Sequence, residues 1–231
     1  MNSDFNELAN AELHLYDGLQ DDLCIGENFL IPGPAGPLEA LLSSPAGDGP
    51  VKGISVICHP HPLHGGTLAN KVVHIVANSF NDLGRLSLRF NFRGVGRSKG
   101  RYDRGVGEVQ DLIAVVGWLR ERYPDLPLWL AGFSFGSYVT LKAQAQLDAT
   151  RILLVAPPIS IFDFTQLSPP TVPWMVIQGA KDDVVSPEKV SLWVGRQKNA
   201  AQYVWFADAD HFFHGKLSKI RAAIDEHWAE P

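Results

Sequence analysis

Gly132-Phe133-Ser134-Phe135-Gly136 is a G-x-S-x-G. It follows the apolar run Leu128-Trp-Leu-Ala131 and leads into a segment with helical spacing. In that setting such a serine is held on a sharp strand-to-helix turn with its Oγ exposed. Gly132 and Gly136 suit a turn so tight that side chains at its flanks would collide with neighbouring backbone. The backbone N–H of Phe135 then lies at a helix N-terminus, aimed at a developing oxyanion. The bland alternative is a serine that merely caps the helix.

A serine hydroxyl is barely ionised at neutral pH and needs a base to become a nucleophile. On a strand-turn-helix serine of this kind the partners follow in chain order as Ser, acid, His. Both slots are filled. After Trp174-Met-Val-Ile-Gln178 comes Gly179-Ala-Lys-Asp182-Asp183-Val-Val185, and after Tyr203-Val-Trp-Phe-Ala207 comes Asp208-Ala-Asp210-His211. The spacing assigns His211 as general base and Asp182 as the acid that fixes its tautomer. Against this stand a surface histidine at 211, and a pair 182/183 in which one member caps the following turn. Asp210 reads as a solvated loop charge.

Cys58-His59-Pro60-His61-Pro62-Leu63-His64-Gly65-Gly66 follows another buried-type strand. In an acyl-transfer site this loop supplies the second oxyanion donor. Pro60 and Pro62 have no N–H, which leaves the backbone of His61, stiffened by proline on both sides. His59 is expected to point inward and tie the loop by a side-chain hydrogen bond. A rival chemistry uses the same residues, because His59, His61 and His64 have an H-x-H-x-x-H spacing that neutral imidazoles use to hold zinc. The aspartate that precedes the third histidine in such sites is replaced here by Leu63.

The elements that must position these groups alternate. Strands are expected at Glu27–Ile31, Leu38–Ser43, Gly53–Cys58, Leu86–Phe92, Leu128–Phe133, Arg151–Val155, Trp174–Gln178 and Tyr203–Ala207. Helices are expected at Ala69–Leu83, Val106–Tyr123, Gly136–Leu147, Pro187–Gln197 and Leu217–Trp228. The first two strands form a hairpin around Gly33-Pro-Ala-Gly-Pro37, which would add antiparallel strands at one sheet edge. The rest is strand–helix alternation, which implies βαβ units and a parallel sheet covered on both faces. The segment Pro157–Pro173 is too short for a large lid. Its Ile159, Ile161, Phe162 and Phe164 could line an acyl pocket or simply pack on the sheet.

The chain has 231 residues, which suits one α/β domain. The reading divides it into an N-terminal arm over residues 1–22, with a short helix from Asn6 to Leu15, and a single domain over 23–231. A hydrophobic fraction of 45% with 19% charged residues excludes a disordered chain. The net charge of −5 argues against a nucleic-acid footprint and against docking on an anionic membrane. Two cysteines, Cys24 and Cys58, do not make a disulfide scaffold. With no signal-peptide pattern and no apolar run of about 18–20 residues, the expectation is a cytoplasmic monomer or small homo-oligomer. Gly94, Gly96 and Gly100 suggest a dinucleotide loop, but the third glycine is out of register for G-x-G-x-x-G and no helix follows directly. The reading there is a packed loop in which Arg93 braces the site wall.

Taken together, the segments His59-Pro-His-Pro-Leu-His-Gly-Gly66, Asn70-Lys-Val-Val73, Phe90-Asn-Phe-Arg-Gly-Val-Gly-Arg-Ser98 and Gly132–Gly136 resemble the α/β-hydrolases. More specifically they resemble a small bacterial group with a His-Pro-His-Pro-x-x-Gly-Gly loop, of dienelactone-hydrolase size. The resemblance runs from about Glu27 to Trp228. It implies an eight-stranded sheet with the second strand antiparallel and no large cap. It also implies a nucleophile at Ser134, an acid at Asp182, a base at His211 and oxyanion amides at His61 and Phe135. Dienelactone hydrolases differ in carrying cysteine at the serine position. Prolyl-oligopeptidase-type domains differ in carrying an extra domain. The expected activity is cleavage of a small-molecule ester or thioester with a small or medium acyl group through an acyl-enzyme, with no cofactor. The alternatives are a metal-dependent hydrolase built on His59, His61 and His64, and a non-catalytic binding protein on the same scaffold.

Overall fold

The structure is a computed structural model that describes residues 25–45, 47 and 49–229. The arm over residues 1–22 and its helix lie outside the described residues.

Eight strands form one sheet: β1 (Asn28–Ile31), β2 (Leu38–Ser43), β3 (Gly53–Cys58), β4 (Arg85–Phe90), β5 (Leu128–Phe133), β6 (Ala149–Val155), β7 (Trp174–Gly179) and β8 (Gln202–Phe206). Their order across the sheet is β1-β2-β4-β3-β5-β6-β7-β8. β2 runs antiparallel to both β1 and β4, and every other pairing is parallel. The hairpin therefore sits at the sheet edge as expected, but only its second strand is reversed. This is the α/β-hydrolase fold, and among the described residues it carries no large cap.

Five α-helices occur among the described residues: α1 (Lys71–Asp82), α2 (Gly107–Arg122), α3 (Phe135–Ala143), α4 (Pro187–Gly195) and α5 (Leu217–Trp228). None is long and apolar enough to cross a membrane. The helices divide between the two faces. Apolar residues of α2, α3 and α4 join one core cluster, and those of α1 and α5 join the other. The central strands feed both. Leu128 and Leu130 point to the first cluster while Trp129, Ala131 and Phe133 point to the second, and β7 divides its residues the same way. Burial on both faces is why these strands read as unbroken apolar runs rather than alternating ones.

Element ends differ from the sequence reading where side chains capture the backbone. The fourth strand ends at Phe90, two residues early. The amide of Asn91 still reaches the backbone carbonyl of Glu39 on β2 at 2.7 Å, but that of Phe92 is captured by the His59 ring at 3.0 Å. Helix α1 starts at Lys71 because the Asn70 carboxamide oxygen accepts from the Val72 and Val73 amides. Helix α3 starts one residue early and gives way after Ala143 to a 3-10 turn over Gln144–Gln146. Pro157–Pro173 is irregular throughout.

Parallel strands bring their C-terminal ends to one edge of the sheet. The loops after β3, β5, β7 and β8 meet there. The acid loop is tied to the histidine loop by the Ala180 amide on Phe206 O at 2.9 Å and the Lys181 amide on Ala209 O at 2.9 Å.

Candidate active site

Ser134 stands between β5 and α3 at φ 52°, ψ −119°. For a residue with a Cβ this backbone is strained, at a cost of about 1–3 kcal/mol. Its surroundings hold it there. The Ser134 amide donates to Val155 O at 2.8 Å and its carbonyl accepts from the Ser137 amide at 2.8 Å. The Thr140 hydroxyl donates to Ala131 O at 3.2 Å. A Cβ at Gly132 would collide with the Gly136 carbonyl, and a Cβ at Gly136 would collide with the Cys58 carbonyl at the end of β3. The side chain of Ser134 makes no capping hydrogen bond to the helix.

That hydroxyl faces His211 instead. Ser134 Oγ lies 3.1 Å from His211 Nε2, and His211 Nδ1 lies 2.8 Å from Asp182 Oδ2. The network sets the tautomer: Nδ1–H donates to the carboxylate and Nε2 accepts from the serine. The imidazole is buried, with Phe133 and Phe212 packed on it. Four donors converge on Asp182. The amides of Val184 and Val185 reach Oδ1 at 2.9 and 2.7 Å, and Gln178 Nε2 joins His211 on Oδ2 at 2.9 Å. Asp183 is exposed. Asp210 holds its own turn by accepting from the amide and the ring of His214.

Sequence reasoning missed Gln178. It is fully buried, and among the described residues its Oε1 has no hydrogen-bond partner. The available signal was a lone amide side chain at the end of an apolar strand, four residues before the acid.

The proline loop departs from β3 beside the start of α3. His59 is fully buried; its Nδ1–H donates to Pro60 O at 2.6 Å and its Nε2 accepts from the Phe92 amide at 3.0 Å. The ring thus ties the loop inward as expected. His61 is half-buried. Its Nε2 contacts the Tyr102 hydroxyl at 3.0 Å and its Nδ1 accepts from the Leu63 amide at 3.2 Å. Tyr102 was not legible as a partner, since the contact crosses forty-one positions of chain. The carbonyl of His61 accepts from the amides of His64 and Gly66, which curls the loop under the cavity. The three-imidazole metal reading fails on this geometry, because both nitrogens of His59 are committed inside the core while His61 and His64 face the cavity. Among the described residues no group of three or more His, Cys, Asp or Glu is arranged to hold a metal ion.

Burial pushes His59 down to about 4, and the nearby His61 adds to it. His61 is itself held below the usual histidine range by burial and by His64. His59 therefore stays neutral in the folded chain, whereas an unfolded chain takes up a proton near pH 6.5. Stability from this group is whole above pH 6.5 and drains away as pH falls toward 4, by up to about 3 kcal/mol. Urea midpoints between pH 7 and 4.5 should fall more steeply for wild type than for His59→Gln. Equal slopes would show that His59 is not the group responsible.

A cavity of about 390 Å³ opens over Ser134 and His211. That volume suits a small to medium ligand. His61, Phe135, Pro158, Ile161 and Phe162 form part of its wall. The segment 157–173 thus divides: Ile161 and Phe162 reach the cavity, while Phe164 is buried in the core and Ile159 packs against it. Arg93 is a correction. It does not reach this cavity but lines a separate hollow with Pro62, Gly94 and Tyr102. The buried Asp111 carboxylate captures its guanidinium at 2.8–3.1 Å and its amide at 3.0 Å. The glycine loop beyond it is anchored on the buried Glu39 carboxylate, which accepts from Asn91 Nδ2 and from the Arg97 amide.

Residues 50–168 match the family described as serine aminopeptidase, S33. An uncharacterized protein of Rickettsia prowazekii is 34% identical over 205 residues, covering 84% of this chain and 85% of that protein. A structure from Xanthomonas campestris, described as an α/β serine hydrolase without lid, is 39% identical with a TM-score of 0.85, over 89% of this chain and 94% of that one. An α/β serine hydrolase homologue from Coxiella burnetii is 42% identical with a TM-score of 0.87, over 90% of this chain and 100% of that one. The family match over more than half of the chain, with a serine on a strand-to-helix turn and relatives that share the fold along about nine tenths of its length, places this chain in the serine aminopeptidase S33 family of α/β serine hydrolases.

Proposed function

We propose that the protein hydrolyses carboxylic esters or thioesters with Ser134 as nucleophile. The observation that carries this reading is the in-line contact of Ser134 Oγ with His211 Nε2 and of His211 Nδ1 with Asp182, inside a cavity. His211 takes the serine proton as Oγ attacks the carbonyl carbon. Asp182 stabilises the imidazolium that results. The amides of Phe135 and His61 receive the oxyanion. The Phe135 amide is the first of helix α3, where N–H groups have no partner within the helix. The bare Gly136 lets that helix start lie against the end of β3, where the His61 loop departs. The imidazolium then protonates the leaving group. Water activated by His211 clears the acyl-enzyme.

The natural substrate on this reading is a small molecule whose acyl group fits about 390 Å³. The chain works without a cofactor, in the cytoplasm, as a monomer or small homo-oligomer.

The choice of acid provides the test. Asp182→Asn should lower kcat for a p-nitrophenyl ester by about 10³–10⁴-fold. The exposed Asp183→Asn should stay within about twofold of wild type, as surface changes usually do. A larger loss at 183 than at 182 would reverse the assignment. Small losses at both would remove the triad.

A further inference from the structure

Gln178 is the penultimate residue of β7. By strand alternation it continues the row of Trp174 and Val176, which belong to the core cluster shared with α4. A primary amide placed in such a row costs free energy unless it is hydrogen-bonded. Its Nε2 donates to Asp182 Oδ2 at 2.9 Å and to the Gly179 carbonyl at 3.2 Å. Both partners are acceptors, so the NH₂ end of the amide is the one that faces them.

The two oxygens of Asp182 are held by different kinds of donor. Oδ1 takes the Val184 and Val185 amides, which belong to the turn that carries the acid. Oδ2 is the oxygen that meets His211 Nδ1 at 2.8 Å, and Gln178 is the second donor on it. Hydrogen bonds in such a chain polarise one another. A donor on Oδ2 draws charge away from the lone pairs that face the imidazole. The carboxylate still orients the ring, but it attracts the imidazolium less than a bare carboxylate does.

We propose that Gln178 is a positioning residue for the reaction, restraining through Asp182 Oδ2 the attraction between carboxylate and imidazolium so that the base at His211 is available at lower pH. The proposal rests on the serine-hydrolase reading above and adds a member to its machinery.

Other charged and titratable groups surround this pair. Asp210 and His214 lie in the histidine loop and are bound to each other, while Asp208 there pairs with Lys216 and Lys219. Lys181 and Asp183 flank the acid and are exposed, as are Glu188 and Lys189 on α4. Lys142 on α3 turns to the Gly105 carbonyl. His61 and His64 line the cavity, with His59 buried behind them. Among the described residues none of these bonds Asp182 Oδ2, and all are common to wild type and to variants at 178.

The test uses two variants of the full chain. Gln178→Met nearly keeps the volume and removes the donor. Gln178→Glu keeps a donor, because a carboxyl buried beside Asp182 stays protonated and its O–H can take over the bond to Oδ2. Turnover of a p-nitrophenyl ester against pH gives the midpoint of the acid limb of kcat/KM, which reports the base in the free enzyme. Without the donor the imidazolium is held more tightly, so the midpoint in Gln178→Met should rise by about 0.5–1 pH unit. Gln178→Glu should return it to the wild-type value. A second readout needs no altered protein to fold. The Gln178 side-chain amide in the ¹H–¹⁵N NMR spectrum of wild type, assigned by its loss in Gln178→Glu, should shift with pH at the midpoint of His211.

An acid limb that stays put in Gln178→Met, or an amide resonance that is flat through the His211 titration, would overturn the proposal and leave the serine hydrolase standing. A limb that moves equally in both variants would assign the effect to packing rather than to the donor, and would also overturn it. If wild type turns over no ester and Ser134 takes no fluorophosphonate label, the serine-hydrolase reading fails and the proposal falls with it.

Discussion

Ser134→Ala should abolish ester turnover, with an expected loss in kcat of about 10⁴-fold or more, and should leave the fold in place. The magnitude follows from what the hydroxyl does in the proposed chemistry. Removing the nucleophile of a triad takes away nearly all the rate the triad supplies as a unit, leaving only the part due to binding and to the oxyanion donors. The fold survives because alanine keeps the Cβ, and the hydrogen bonds that hold the turn come from the Ser134 backbone and from Thr140 rather than from Oγ. Intact mass after a fluorophosphonate probe should show one adduct on wild type and none on the variant. Residual activity within a few fold of wild type would end the assignment. Wild type that takes no adduct would point to the non-catalytic scaffold.

Gly136→Ala carries the second large effect, and its reason is space. The added methyl meets the Cys58 and His59 carbonyls, which are backbone and cannot rotate away. Overpacking of this kind costs about 1–3 kcal/mol, or a fall in Tm of roughly 5 °C for a chain of this size. Activity should suffer more than stability. Relief of the clash pushes the start of α3 away from the end of β3, and so parts the Phe135 amide from the His61 loop. Gly117→Ala is the matching control. Gly117 is exposed in the middle of α2, and a Cβ there meets nothing within 4 Å. That variant should gain up to about 1 kcal/mol from helix propensity alone and keep full activity. Thermal unfolding and ester turnover of the two variants decide the point. Wild-type values for Gly136→Ala would refute the close-approach argument.

The eight strands were legible because the central ones are buried on both faces and the outer ones are marked by turn residues. Trp174–Gln178 and Leu128–Phe133 could be read from apolarity alone. Positions where the chain leaves a ladder were harder to see, as at Phe92, where the distant His59 ring takes the amide. The meeting of Ser134, His211 and Asp182 was legible because each follows a strand, and parallel strands end on one edge. Asp182 could be preferred to Asp183 but not separated from it by sequence, since the difference is which side chain the turn directs inward. Gln178 and Tyr102 escaped notice for a common reason. Each acts through a hydrogen bond or a wall position that only the folded chain creates. Arg93 was misplaced because its partner Asp111 sits on α2, eighteen positions away, with nothing in the sequence to mark the pair.

Among the described residues no element caps the cavity, and in the proposed chemistry this sets the timing of the cycle. Enzymes that close a flap over their substrate spend binding energy on the closure, and often wait on its reopening before product can leave. Here the segment 157–173 lies beside the opening and contributes wall residues without regular structure of its own. Arrival and departure are then matters of diffusion through a standing doorway. A substrate too long for the pocket is not shut out, because its tail can trail into solvent past the exposed Ile161 and Phe212. Selectivity in such an enzyme resides in the first few atoms on either side of the scissile bond and fades quickly with distance from it.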